Sequence, residues 1–150
     1  MTATIEVNLR QANEGDLPFL LALRRQTMTE HEAAVGRVRS TAEVHARVVA
    51  AFESARIILH RGVPVGMLKV IRSGTEWEVA QLQVAPEHQG RGIGTQMLEH
   101  VRAEAQNVGA DVLLSVLKSN PALRLYLRQG FSVAGESSIA YKMRLVQREN

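Results

Sequence analysis

Between Glu76 and Val108 the sequence changes period once, and abruptly. The run Glu76-Trp-Glu-Val-Ala-Gln-Leu-Gln-Val84 alternates as a strand does, and after Pro86 the apolar residues Ile93, Met97, Leu98, Val101, Ala105 and Val108 recur at helical spacing up to a stop at Gly109. The join is Gln89-Gly90-Arg91-Gly92-Ile93-Gly94-Thr95, with glycine at every second position of a helix start. Glycine there removes the side chains that would block close approach, and the first N–H groups of a helix lack intrahelical partners, so such a turn points unpaired donors at negative charge. The expected ligand carries phosphates. The common nucleotide motifs do not fit: no Lys follows Gly94, as G-x-x-x-x-G-K-[ST] requires, and glycines at 90, 92 and 94 break G-x-G-x-x-G.

The flanking sequence supplies a sheet for this unit to enter. Arg56-Ile-Ile-Leu-His60, Val63 to Ile71 and Glu76 to Val84 are short apolar runs punctuated by Arg61-Gly62 and Ser73-Gly74, the pattern of an antiparallel meander with two hairpin turns. Thr4 to Arg10 alternates Ile5, Val7 and Leu9 with polar residues and predicts an opening strand. Two helices lie between: one capped by Asp16, with Leu17, Leu20, Leu21, Leu23 and Met28 at helical spacing, and a shorter one from Thr41, with Glu43 nearby, carrying Val44, Val48, Ala51 and Phe52. Downstream, Val112 to Leu117 predicts a buried strand. Asn120-Pro121 opens a helix through Leu127 that stops at Gly130, and Phe131 to Glu136 and Ile139 to Leu145 predict closing strands. The fold class is α/β, with a mixed, mostly antiparallel sheet flanked by roughly four helices.

At 150 residues, 45% hydrophobic and 22% charged, the chain reads as one globular domain over residues 1–150. No apolar run nears the roughly 20 residues of a membrane span, and the first ten residues lack the features of a secretory signal, so a cytoplasmic protein without a membrane partner is expected. Having no cysteine excludes disulfides, thiolate catalysis and zinc–thiolate sites. The formal charge is +3; residues 118–150 hold six Lys/Arg against two Glu, or +4, which leaves −1 for the rest. That surplus suits an anionic small ligand. It is scattered rather than gathered into a dense basic tract, so no nucleic-acid partner is expected.

Gln89 to Gly94 resembles the acetyl-coenzyme A signature of the GNAT superfamily of N-acetyltransferases, Q/R-x-x-G-x-G/A, at every defined position. Asn120-Pro-Ala-Leu-Arg-Leu-Tyr126-Leu-Arg-Gln-Gly130-Phe131 is similar to the family's N-x-x-A-x-x-x-Y-x-x-x-G-F segment, with the alanine one place earlier. Residues 1–54 match only in fold pattern. The resemblance implies acetyl-coenzyme A as cosubstrate, backbone contacts from Val84 to the pantetheine arm, and a pyrophosphate held by Gln89, Gly90, Arg91, Gly92, Gly94 and Thr95. Arg91 is either a phosphate partner or a solvated charge, and Asn120 either touches the cofactor or only caps its helix. Tyr126 is either a core aromatic or the phenol that assists the departing thiolate, which its ordinary pKa near 10 allows.

Acyl transfer to an amine also needs a base. Strand alternation places Glu78 with Ala80, Leu82 and Val84 on one face, and Trp77, Val79, Gln81 and Gln83 on the other, which makes Glu78 the candidate. Glu76, read as a solvated hairpin residue, and a water chain are the alternatives. His31, His60 and His88 read as surface residues, and no ligand spacing suggests a metal. The implied reaction is direct attack in a ternary complex by a primary amine, of a small molecule or a peptide, with the sheet splaying after Val84. Residues 28–40, rich in Glu, His and Arg, are expected to line the acceptor site. A homodimer is compatible with this reading. The competing class is a non-catalytic acyl-coenzyme A-binding regulatory module.

Overall fold

A computed structural model describes residues 5–147. The chain begins with β1 (Asn8–Gln11), later than the alternation suggested. Thr4 lies outside the described residues, and residues 5–7 run past the last rung with the neighbouring strand, Asn8 opposite Leu59. Side chains take the place of a ladder there: Gln96 Nε2 donates to the Ile5 carbonyl at 2.5 Å, and His60 Nδ1 lies 3.1 Å from the Glu6 carbonyl.

A short 3-10 turn leads into α1 (Leu17–Ala34). Asp16 stands at the helix entrance but faces backward rather than capping α1. Its carboxylate accepts the Asn13 N–H at 2.8 Å and both Arg10 nitrogens at 2.8 Å, and the guanidinium holds its carboxyl below the usual range. Next is α2 (Thr41–Val49), whose cap is Ser40 rather than Thr41, in a reciprocal capping box with Glu43. Its other end is closed by a cation: Lys69 Nζ, buried, donates to the carbonyls of Arg47 at 3.3 Å, Val48 at 3.0 Å and Ala50 at 2.5 Å. Ala51 and Phe52 lie beyond this stop, Phe52 in a 3-10 turn.

The meander follows as β2 (Ala55–His60), β3 (Val63–Ser73) and β4 (Glu76–Val84). Arg61 and Gly62 both have positive φ, 51° and 78°, as a two-residue hairpin loop of primed type requires. Then come α3 (Ile93–Asn107), β5 (Asp111–Leu117), α4 (Leu123–Arg128), β6 (Ser132–Glu136) and β7 (Ala140–Leu145). α4 starts three residues after Asn120, because 120–122 form a turn in which Asn120 Oδ1 accepts the Ala122 N–H at 3.0 Å.

One sheet in the order β1-β2-β3-β4-β5-β7-β6 results, antiparallel except between β4 and β5. Its two faces are covered separately. Leu20 and Leu23 of α1 and Val48 of α2 pack on Ile57 and Met67, while Ile93, Met97, Leu98 and Val101 of α3 pack on Leu68, Val70 and Val79.

β4 and β5 pair over three rungs only, Glu76–Asp111, Trp77–Val112 and Glu78–Leu113, and then diverge. The splay therefore begins after Glu78, not after Val84. Arg144 of β7 clasps the closed end, with Nη2 2.7 Å from Glu76 and 2.8 Å from Asp111, so Glu76 is ion-paired rather than merely solvated. On the opposite edge of β4, Gly66 permits a close approach: a Cβ there would lie 2.4 Å from the Gln83 carbonyl oxygen and 3.2 Å from Val84 Cα. Gly66→Ala should thus push β4 off β3 and cost on the order of 1–3 kcal/mol, as other overpacked sites do. Urea denaturation checks it; an unchanged midpoint would show that the strand yields freely.

Candidate active site

The gap between β4 and β5 is shaped by a β-bulge. Lys69 opposes Gln81 while Val70 opposes Val79, so Ala80 is an extra residue on β4. Side-chain direction is reset there. Trp77 and Val79 face α3, and so do Leu82 and Val84, whereas Gln81 and Gln83 share the α1/α2 face with Lys69 and Met67 opposite them. Glu78 belongs with Gln81 and Gln83, which corrects the uninterrupted alternation: the face assignment fails at Ala80. Glu78 is exposed, sits on the last rung with β5, and interacts electrostatically with Arg47 of α2. It lines neither of the two cavities that occupy the gap.

The larger cavity, about 540 Å³, extends along the glycine turn. Gly90 and Gly92 have φ of 78° and 81°, the left-handed region that side chains resist. Gly92 is the residue before α3 and supplies no side-chain cap; the first turn of α3 holds no acidic residue, and its first intrahelical bond is Gln96 N to Gly92 O. The N–H groups of the first turn are thereby left for a ligand, at the positive end of the helix dipole. Gly94 is held for a different reason: a Cβ there would come within 3.2 Å of Leu125 of α4. Gln89 Nε2 donates to the Val84 carbonyl at 2.9 Å and so braces strand against turn. This donor set fits a polyphosphate. Val84, Gln89, Gly90, Gly92, Gly94, Thr95 and Asn120 all line the cavity; Arg91 is exposed and does not.

Tyr126 reaches the wall common to both cavities, together with Met28, Leu82, Gln83 and Asn120. Its ring packs edge-on against Phe131, 6.0 Å between centroids. Burial alone pushes its phenol up to about 12, so it is a proton donor at any physiological pH. Asn120 both caps locally and faces the two cavities.

The smaller cavity, about 360 Å³, lies under α1 and α2. Met28, Glu32 and Arg37 of the 28–40 segment line it, while Met28 and His31 line the larger one. Ser119 Oγ donates to the His31 carbonyl at 2.6 Å, tying α1 to the loop after β5. Two features escaped sequence reasoning. His88, read as a surface residue, lines the larger cavity with Nδ1 buried and unpartnered among the described residues. Arg24, on an otherwise apolar helix pattern, is buried and lines the smaller one. A histidine beside a glycine turn and an arginine within a leucine-rich helix were the available signals. No group of three potential metal ligands occurs among the described residues.

The family model described as "Acetyltransferase (GNAT) domain" matches residues 45–133, and the chain belongs to that family. An amino-acid acetyltransferase of Neisseria meningitidis serogroup A is 30% identical over 146 residues, 96% of this chain and 31% of that protein, so the chain spans less than a third of that relative's length. An aminoalkylphosphonate N-acetyltransferase of Salmonella typhimurium is 33% identical over 84 residues, 51% of this chain and 54% of that one. Among solved structures, the PaiA N-acetyltransferase of Thermoplasma acidophilum in complex with coenzyme A shares the fold, with a TM-score of 0.75 at 15% identity over 95% of this chain and 99% of that one. No helix among the described residues is long and apolar enough to cross a membrane.

Proposed function

We propose that this chain transfers the acetyl group of acetyl-coenzyme A to the primary amine of a small molecule, by direct attack in a ternary complex. The observation that carries this reading is the meeting of two cavities at Tyr126, one along a phosphate-competent glycine turn and one of amino-acid size. Relatives named for amino acids and aminoalkylphosphonates support a small acceptor over a peptide.

Bound acetyl-coenzyme A would supply the activated thioester; the remaining requirements fall on this chain. The N–H groups that open α3 between Gly92 and Thr95 hold the phosphates, and the β4 edge left free from Val79 to Val84 offers peptide groups to the pantetheine arm and the thioester carbonyl. The amine attacks neutral, so its proton must leave. Glu78 accepts that proton through water, because it stands at the closed end of the fork and outside both cavities. As the C–N bond forms the C–S bond breaks, and the thiolate is met by the Tyr126 hydroxyl, which no other polar group shifts. With no cysteine in the chain, a covalent acyl-cysteine step is excluded.

Thiol release from acetyl-coenzyme A across a panel of amines tests the reading. Cofactor binding without release for any amine would return the chain to the non-catalytic acyl-coenzyme A-binding class. Gly92→Val, which forces a β-branched residue to φ 81°, should weaken coenzyme A binding by calorimetry while circular dichroism stays native; equal affinity would remove the turn from the site. Tyr126→Phe keeps the ring and deletes one donor. Its kcat should fall by roughly 10²-fold or more, within the range of about 2.7–4 kcal/mol for losing such a donor, and the wild-type pH profile should show no phenol limb below about pH 11. Turnover within about twofold of wild type would leave Tyr126 a packing residue, far short of that donor range. Glu78→Gln should slow the reaction roughly 10²-fold near neutral pH, the loss typical of removing a general base. An unaltered pH–rate profile would assign the base to another group.

A further inference from the structure

The smaller cavity carries more positive charge than the protein balances. Arg24, Arg37, Arg47 and Lys142 line it against one carboxylate, Glu32. Glu32 is already engaged twice, by Arg24 at 3.4 Å and by Arg39. Arg37, Arg47 and Lys142 form no direct ion pair among the described residues, and Glu32 and Glu78 reach Arg47 only at longer range. The charge is therefore not there to neutralise an acidic cluster.

Arg24 is the deepest of these groups. It is 3% exposed, makes one long contact to Glu32, and keeps Nε buried without a partner. A guanidinium offers five donors in a fixed plane, and burying one with its shell incomplete is costly unless a ligand completes it. Burial pulls its pKa down to about 10, with Glu32 opposing and Arg47, Arg39 and Arg37 adding to the fall. Like charges face one another here with too little anion between them.

The local structure holds them so. Arg24 and Glu32 lie eight residues apart on α1, about two turns, and so share a face. Arg37 follows in the loop. Arg47 stands at the rim on α2, its backbone carbonyl fixed by Gln81 Nε2 at 3.2 Å and by Lys69 Nζ. The cavity runs from these arginines to the wall at Tyr126.

We infer that this cavity binds an oxyanion, and that the amine acetylated by this chain carries a carboxylate or phosphonate seated among Arg24, Arg37 and Arg47 while its amino group lies toward Tyr126. The inference rests on the acetyltransferase reading above and gives that acceptor its chemical class. A polyamine or another purely cationic amine meets an excess of like charge in this cavity, with the Glu32 carboxylate already engaged, and is disfavoured. At about 360 Å³ the space suits an amino-acid-sized acid.

The test compares three matched pairs: alanine with alaninamide, glutamate with glutamine, and 2-aminoethylphosphonate with ethanolamine. The more anionic member of at least one pair should exceed its partner in kcat/KM by about 10- to 100-fold, the range for losing a hydrogen bond to a charged group. The preferred pair identifies the oxyanion as an α-carboxylate, a side-chain carboxylate or a phosphonate. Arg47→Gln and Arg37→Gln should raise KM for that substrate and leave the Kd for coenzyme A unchanged. Equal turnover of the two members in all three pairs would overturn the oxyanion site while acetyl transfer stands. Should coenzyme A bind with no amine acetylated, the acetyltransferase reading fails, and calorimetry of glutamate and 2-aminoethylphosphonate alone decides the site. Millimolar binding lost in Arg47→Gln would support it, and no binding to the wild type would overturn it.

Discussion

The whole working end of the molecule hangs on a ladder of three rungs. β4 and β5 are parallel neighbours from Glu76 to Glu78 and nowhere beyond, and Arg144 spans from β7 to both Glu76 and Asp111 at that end. An exposed ion pair by itself contributes little. This guanidinium, however, joins two strands where they would otherwise part, and Asp111 also accepts the Gln147 N–H at 3.0 Å, which with Arg144 holds its carboxyl low. With one end clasped, the bulge at Ala80 and the close contact at Gly66 set the direction in which β4 leaves its neighbour. Both cavities are what remains between two strands sharing an origin and no destination.

Strand ends, helix ends and buried side chains around the opened sheet leave polar groups that no ladder satisfies. Some are answered within the chain: Gln89 covers the Val84 carbonyl, and Lys69 gathers three carbonyls at the end of α2. Others face the cavities without an answer, among them the first N–H groups of α3, Nε of Arg24 and Nδ1 of His88. Buried polar atoms in folded proteins nearly always find partners. Their concentration around one gap, on the walls of both cavities, separates a site from a packing fault.

Much of this was legible in the sequence, because it depends on neighbours along the chain. The glycine turn, the hairpin at Arg61-Gly62 and the amphipathic period of α3 are local, and the structure places them where the pattern did. Failures came where distance enters. The bulge at Ala80 arises from how β4 registers against β3, so simple alternation put Glu78 on the face of Leu82 and Val84. Thr41 and Ser40 are equally good caps by residue type, and only the position of Glu43 relative to Ser40 separates them. Arg24, Arg37, Arg39 and Arg47 sit in a helix, a loop and a second helix, each an unremarkable surface charge until α1 and α2 fold onto the same sheet face. No periodicity announces such a convergence.

The wall of Met28, Leu82, Gln83, Asn120 and Tyr126 has two sides, and each is the lining of a different cavity. A side chain there that shifts to accommodate one occupant presents a changed surface to the other. Thermodynamic reciprocity then applies: whatever factor the first ligand imposes on the affinity for the second, the second imposes on the first. The coupling is the same whichever cavity fills first, and for any pair of occupants it runs through the same five side chains.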